Sequence, residues 1–372
     1  MKSNVLVCVV GARPNFMKMA PIIKALKAVG QPIVPYLVHT GQHYDQAMKD
    51  TFFQQLGIPE PDRDLGVGSG SHAVQTANTM LRFEPVLDEV SPFAVLVVGD
   101  VNSTIACGLV AVKKSIPLIH VEAGLRSFDR DMPEEINRVL TDQISDLLFT
   151  TERGALHNLE REGIDEGRVC FVGNVMIDTL LANCQQAVTP DLTLATYGSS
   201  LAIKEEGYAL LTLHRPSNVD DPDTLVRLIK TVGEISKRLP VIFPVHPRTQ
   251  QKIAHAGLLD EFSTERVSLL PPVSYLEMLG LMRAARVVLT DSGGLQEETT
   301  ALGVPCVTLR ENTERPITVT DGTNTIVGTD AEKIKACVHE ILDSGGKRGR
   351  IPEYWDGNAA TRIVERLLQR YF

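Results

Sequence analysis

The 372-residue chain is 43% hydrophobic and 22% charged and has no low-complexity tract, which excludes a disordered or fibrous protein. A formal net charge of −9 argues against the basic face that a nucleic-acid binder carries, so an anionic ligand has to be held by local groups. The first apolar run, residues 5–10, is too short for a secretion signal or a membrane span, and a cytoplasmic protein with no membrane partner is expected.

At ~150 residues per domain, the length predicts two domains. In chain order, short apolar runs alternate with longer amphipathic stretches. NVLVCVVG leads into the helical MKMAPIIKALKAV; PIVPYLVHTG and FAVLVVGD follow, then a helix near 103–114, and then PLIHVEAG, LLFTT and VCFVG. Apolar runs of four to eight residues separated by helices predict parallel βαβ units. The pattern weakens over 174–206 and restarts with YALLTLH, a helix over 222–238, VIFPVHP, VSLLPP, VVLTDSGG, CVTLRE and TIVG. We expect one α/β domain over 1–173 and a second over 174–357. The last helix, about 358–372, has an apolar stripe that fits either domain and is assigned to the first. The six cysteines form no C-x-x-C pair and read as reduced and structural.

Ligands of open parallel sheets sit at the carboxyl ends of the strands, so the polar residues there carry the functional question. GARPNFMK lacks the three glycines of a dinucleotide fingerprint, but Arg13 and Lys18 flank a helix start suited to a diphosphate; a solvated loop is the competing reading. Asp100 ends FAVLVVGD and Glu122 directly follows the apolar run 116–121. Two carboxylates at such strand ends are expected to repel each other, as groups that transfer protons do. Glu134 has a structural alternative, since Asp131 to Glu134 fits a capping box and Glu134 to Arg138 fits an i, i+4 ion pair. His214 ends YALLTLH, where it fits either a structural role or a phosphate contact. In TDSGGLQEE, Ser292, Gly293 and Gly294 open a helix and would let backbone N–H groups reach a phosphate, while Glu298 would accept from ribose hydroxyls. Here the alternative is a plain Ser N-cap, with Glu297 and Glu298 complementing the helix dipole.

GARPNFMKMAP, TGQHYD, GDVNST, HVEAGLRS, MPEEINR, HRPSN, PVHPRT, TDSGGLQEE and ENTERP occur in the order and spacing of the non-hydrolysing UDP-N-acetylglucosamine 2-epimerases, which this chain resembles from about residue 5 to 330. The resemblance implies two Rossmann-like domains of the GT-B type with the active site in the interdomain cleft. It further implies interconversion of UDP-GlcNAc and UDP-ManNAc through elimination of UDP to 2-acetamidoglucal and re-addition. A homodimer that needs no metal or NAD cofactor and supplies ManNAc for surface polysaccharide is the family expectation. Asp100, Glu122 and Glu134 resemble the family's acid/base group, and His214 the catalytic residue beside the diphosphate. Arg13, Lys18, Ser292, Gly293, Gly294, Glu298 and Arg315 resemble its UDP-binding set. Tyr44 and Pro216 stand where relatives with a second, allosteric UDP-GlcNAc site carry basic residues. Alternatives are a 2-epimerase of a modified UDP-GlcNAc such as a 2,3-diacetamido uronate, a GT-B glycosyltransferase, and a non-catalytic UDP-sugar sensor.

Overall fold

A computed structural model describes residues 3–30, 32–41, 57–259 and 266–372. The chain divides into two compact units, Met1–Ala182 with Glu353–Phe372, and Asn183–Pro352.

The first unit is built on a parallel sheet of β1 (Val5–Val10), β2 (Val34–His39), β3 (Arg63–Asp64), β4 (Ala94–Val98), β5 (Leu118–Ala123), β6 (Leu147–Thr150) and β7 (Val169–Phe171). Their order is β3-β2-β1-β4-β5-β6-β7. Every residue of β4 and β5 is buried, as expected when helices cover both faces of a parallel sheet. The helix Asn102–Lys113 lies so close to β5 that a Cβ on Gly108 would meet Leu118 Cδ2 at 2.9 Å.

The second unit repeats the plan with β8 (Ala209–Thr212), β9 (Val241–Pro244), β10 (Val267–Leu270), β11 (Val287–Thr290), β12 (Cys306–Thr308) and β13 (Asn324–Ile326), ordered β10-β9-β8-β11-β12-β13. In both sheets the strand order reverses beside the first strand, between β1 and β4 and between β8 and β11. Such a reversal opens a crevice at the carboxyl ends of those two strands, where open α/β sheets bind ligands.

The expected linker over 174–206 instead contains the helices Val175–Asn183 and Pro190–Thr196. The first of these is held in the first unit, nine residues beyond the boundary expected from sequence. Thr179 Oγ1 donates to the Met17 carbonyl at 2.6 Å, and the buried Asp178 carboxylate accepts from Ala359 N at 3.1 Å and Ala360 N at 2.7 Å. Asp178 thereby caps the C-terminal helix Ala359–Tyr371. That helix buries Ile363, Val364 and Leu367, each worth roughly 1.5–3 kcal/mol. The single tryptophan, Trp355, anchors the preceding loop by donating to the Thr151 carbonyl at 3.1 Å. Among the described residues no helix is long and apolar enough to cross a membrane.

Candidate active site

At the β1/β4 reversal the first unit gathers an ionic cluster. After β1 the chain turns at Gly11 and Ala12 into the helix Arg13–Val29. Asn15 accepts from Ala12 N at 2.9 Å and donates to the Val98 carbonyl at 3.0 Å, tying the turn after β1 to the end of β4. One turn further on, Lys18 is buried in an ion pair with Glu122. The expectation from sequence set Lys18 against a diphosphate, whereas here its ammonium faces a carboxylate. The Arg13 side chain lies outside the described residues, as does Tyr44.

Glu122 sits in a register irregularity of β5 between Val121 and Ala123, with φ +73°. A non-glycine residue in the left-handed region is strained, and such strain collects at functional positions. Gly99 fills the space beside it. With φ +67°, a Cβ there would lie 3.0 Å from Lys18 Nζ, 3.3 Å from Asn15 Nδ2 and 3.3 Å from Glu122 Oε2. Only glycine combines that backbone with that approach.

Asp100 follows Gly99 and is held by Arg138, whose Nε and Nη2 reach Asp100 Oδ2 at 3.0 and 2.6 Å. The expected repulsion between Asp100 and Glu122 is therefore not what the fold builds: each carboxylate has its own cation, Arg138 for one and Lys18 for the other. Arg138 Nη1 also binds Glu135 at 2.6 Å, and the buried Glu135 accepts from Ser127 N and Phe128 N, both at 2.9 Å. Glu135, not Glu134, is thus the structural acid of the helix Pro133–Ile144. Both structural readings of Glu134 fail, because the N-cap is Met132 with no side-chain cap bond and Arg138 pairs elsewhere. Glu134 is half-buried, and no side-chain partner is found for it among the described residues.

A second layer supports these groups. His120 and Asp142 are fully buried; His120 Nδ1 lies 2.6 Å from Asp142 Oδ1 and Nε2 lies 2.8 Å from the Gly99 carbonyl. Asp142 Oδ2 also meets Arg126 Nη2 at 2.7 Å and accepts from Gly124 N at 3.0 Å. Burial works against ionisation of Asp142, but His120, followed by Arg126, holds it below the usual carboxylate range.

In the second unit the β8/β11 reversal brings His214 and Asp291 together, with Nδ1 to Oδ1 at 2.7 Å. Asp291 is fully buried and also accepts from His214 N at 3.0 Å, Arg215 N at 2.9 Å and Asn218 Nδ2 at 3.2 Å. Burial opposes the charge on Asp291, yet the His214 hydrogen bond and charge and these backbone donors keep its pKa low. Asp291 therefore fixes the ring of His214, whose side chain is 54% exposed.

Ser292 is the N-cap of the helix Gly293–Leu302 but makes no side-chain cap bond, and Glu297 and Glu298 lie beyond the first turn. The simple capping alternative does not describe this helix start. Gly294 is half-buried, and a Cβ on Gly293 would meet Glu314 Oε1 at 2.4 Å. The buried Glu298 accepts from Tyr275 Oη at 3.2 Å, which orients its carboxylate. Arg315 is buried with Nε 2.8 Å from Glu297 Oε1, so at least one of its donors faces the protein. From sequence, His120, Asp142 and Tyr275 have no assigned role, and Asp291 is marked only as a strand-end acid and Glu135 only as the neighbour of Glu134. Among the described residues no cluster of three or more His, Cys, Asp or Glu is arranged to hold a metal ion.

The sequence profile of the family described as UDP-N-acetylglucosamine 2-epimerase matches residues 27–368. The chain is 43% identical to the UDP-N-acetylglucosamine 2-epimerase of Methanocaldococcus jannaschii over 359 residues, 96% of each chain. It is 42% identical to the UDP-2,3-diacetamido-2,3-dideoxy-D-glucuronate 2-epimerase of Pseudomonas aeruginosa over 369 residues, 97% of this chain and 99% of that one. Its structure is similar to that of the M. jannaschii enzyme in complex with UDP-GlcNAc and UDP, with a TM-score of 0.89 at 42% identity, covering 98% of this chain and 99% of that one.

Proposed function

The chain belongs to the UDP-N-acetylglucosamine 2-epimerase family, and from that premise we propose that it interconverts UDP-GlcNAc and UDP-ManNAc without hydrolysis. The C2 proton leaves to a carboxylate as the C1–O bond to UDP breaks, giving 2-acetamidoglucal. UDP then returns to C1 while a proton is delivered to the opposite face of C2, so no atom is gained or lost. A C2 hydrogen without an adjacent carbonyl is a poor acid, and its removal has to be coupled to departure of a diphosphate whose charge is already offset.

Asp100, Glu122 and Glu134 are assigned the proton transfers. Lys18 is assigned to hold the Glu122 carboxylate in place through their buried ion pair, a change from its expected place on the diphosphate. His214, ordered by Asp291, is assigned the diphosphate together with Arg13 and the helix start at Ser292, Gly293 and Gly294; Glu298 and Arg315 complete the nucleotide set. The observation that carries the reading is Glu122: a buried carboxylate at φ +73° at the carboxyl end of β5, paired with a buried lysine, is a strained arrangement that a sheet does not require for folding. The test is nuclear magnetic resonance of purified UDP-GlcNAc with the protein, in which the manno isomer should grow in to equilibrium with no free N-acetyl sugar.

The P. aeruginosa relative favours a second reading, action on a UDP-2,3-diacetamido uronate. A higher kcat/KM on that substrate than on UDP-GlcNAc would select it. We further propose a cytoplasmic homodimer that supplies ManNAc for surface polysaccharide. Leu81, Ile136 and Leu140, exposed at 70%, 40% and 48% on the helices His72–Val90 and Pro133–Ile144, are the face assigned to the second copy. Light scattering should give twice the 40.7 kDa chain mass, and Leu81→Glu should lower it.

A further inference from the structure

We propose that His120 is a positioning residue for the proton-transfer carboxylates, a doubly protonated ring that pins the Gly99 carbonyl and thereby the turn presenting Asp100. This rests on the functional reading above. The two ring nitrogens of His120 face Asp142 Oδ1 at 2.6 Å and the Gly99 carbonyl at 2.8 Å, and both partners only accept hydrogen bonds when Asp142 is ionised. Each nitrogen must then carry a hydrogen. The ionised state of Asp142 is supported on its other oxygen by Arg126 and Gly124 N. Arg126 in turn makes a forked pair with Glu162, Nε to Oε1 at 2.8 Å and Nη2 to Oε2 at 2.6 Å.

His120, Asp142, Arg126 and Glu162 therefore form a chain of alternating charge that sums to zero. On the far side of Gly99 stand Lys18 and Glu122, and the Asp100 carboxylate that follows Gly99 is paired with Arg138. Gly99 is thus fixed to β5 twice, through its own N–H to the Val121 carbonyl at 3.1 Å and through its carbonyl to His120. The next residue is Asp100, and the space that Gly99 leaves is the space Lys18 and Glu122 use. Stability alone does not call for such a chain, because well-packed apolar residues usually serve a core as well as or better than buried ions. What the ring adds is the placement of one carbonyl, and placement is what proton transfer needs, since a misplacement of about 1 Å can cost ~10² in rate.

The test has two arms on the full-length protein. In the first, histidine-selective 15N spectra of the wild type, assigned by the perturbation in Asp142→Asn, should show one buried ring protonated at both nitrogens at neutral pH. A His120 ring with one bare nitrogen overturns the proposal, whether or not any His120 variant folds. In the second, His120→Asn keeps a donor near Nδ1 and loses the one to Gly99, whereas His120→Gln can reach the Gly99 carbonyl. We expect kcat for UDP-GlcNAc to fall by about 10² in His120→Asn with KM little changed, and to recover substantially in His120→Gln. Equal loss in both variants, or a loss confined to KM, overturns it. A wild type that does not epimerise UDP-GlcNAc would defeat the functional reading, while the 15N arm would still decide the state of His120.

Discussion

Replacing Glu122 by glycine should leave the protein more stable than replacing it by alanine, the reverse of the usual order in a strand. Both substitutions remove the carboxylate and leave buried Lys18 without its counter-ion, a shared loss of about 3–5 kcal/mol. They differ in the backbone. At φ +73° a Cβ crowds the following carbonyl at a cost of roughly 1–2 kcal/mol, which alanine keeps and glycine escapes. Against that stands the extra chain entropy of glycine, about 0.5–1 kcal/mol. The net advantage of glycine is therefore up to about 1.5 kcal/mol. The assay is denaturant unfolding followed by the fluorescence of Trp355, which lies in the same unit and is the only tryptophan in the chain. Ala94→Gly, in the regular buried strand β4, serves as control and should show the ordinary loss. If Glu122→Ala proves as stable as Glu122→Gly or more so, Glu122 is not held in the left-handed region and the strain argument fails.

Glu134→Gln should lower turnover by about 10²-fold or more while unfolding within ~0.5 kcal/mol of wild type, because its side chain has no partner among the described residues; undiminished turnover removes it from the chemistry. Arg138→Lys should not rescue Arg138→Met, since one ammonium cannot span Asp100 and Glu135 as the guanidinium does; full activity and stability in the lysine variant would contradict that bridge. Burial, only partly offset by the Ala360 and Ala359 N–H groups, raises the Asp178 pKa to about 6. The folded state therefore holds the proton more tightly than the unfolded chain, and stability from this group falls as pH rises from about 4 to about 6. Relative to wild type, Asp178→Asn should gain up to about 3 kcal/mol across that window and nothing further above it, and a difference independent of pH would contradict the assignment. With Pro216 opening a four-residue helix and Tyr44 also uncharged, UDP-ManNAc should be converted without a lag; a lag abolished by UDP-GlcNAc would show a second site.

The alternation of apolar runs and helices was legible because each run falls short of helix length and ends in polar residues, so both sheets could be anticipated. The strand-end residues followed from the same logic. What was not legible is pairing across distance. Lys18 meets Glu122 over 104 residues, and the His214 backbone meets Asp291 over 77; both depend on which strands become neighbours at the reversals. Between the adjacent acids Glu134 and Glu135, spacing to Arg138 suits either i, i+4 or i, i+3, and only the helix's orientation on the sheet selects Glu135 as the buried one. His120 was hidden by its surroundings, a polar residue inside the apolar run 116–121 with nothing in sequence to name Asp142 as its partner. The helix His72–Val90 is not anticipated by the sequence reading.

The measurement that bears most directly on the account is the reaction run in D2O with purified UDP-GlcNAc, with proton and deuterium at C2 followed in both isomers. UDP-ManNAc should form with deuterium at C2, deuterium should enter the remaining UDP-GlcNAc, and Glu122→Gln should slow both together. Epimerisation that retains the original C2 proton, or undiminished exchange in Glu122→Gln, would contradict the claim that these carboxylates move it.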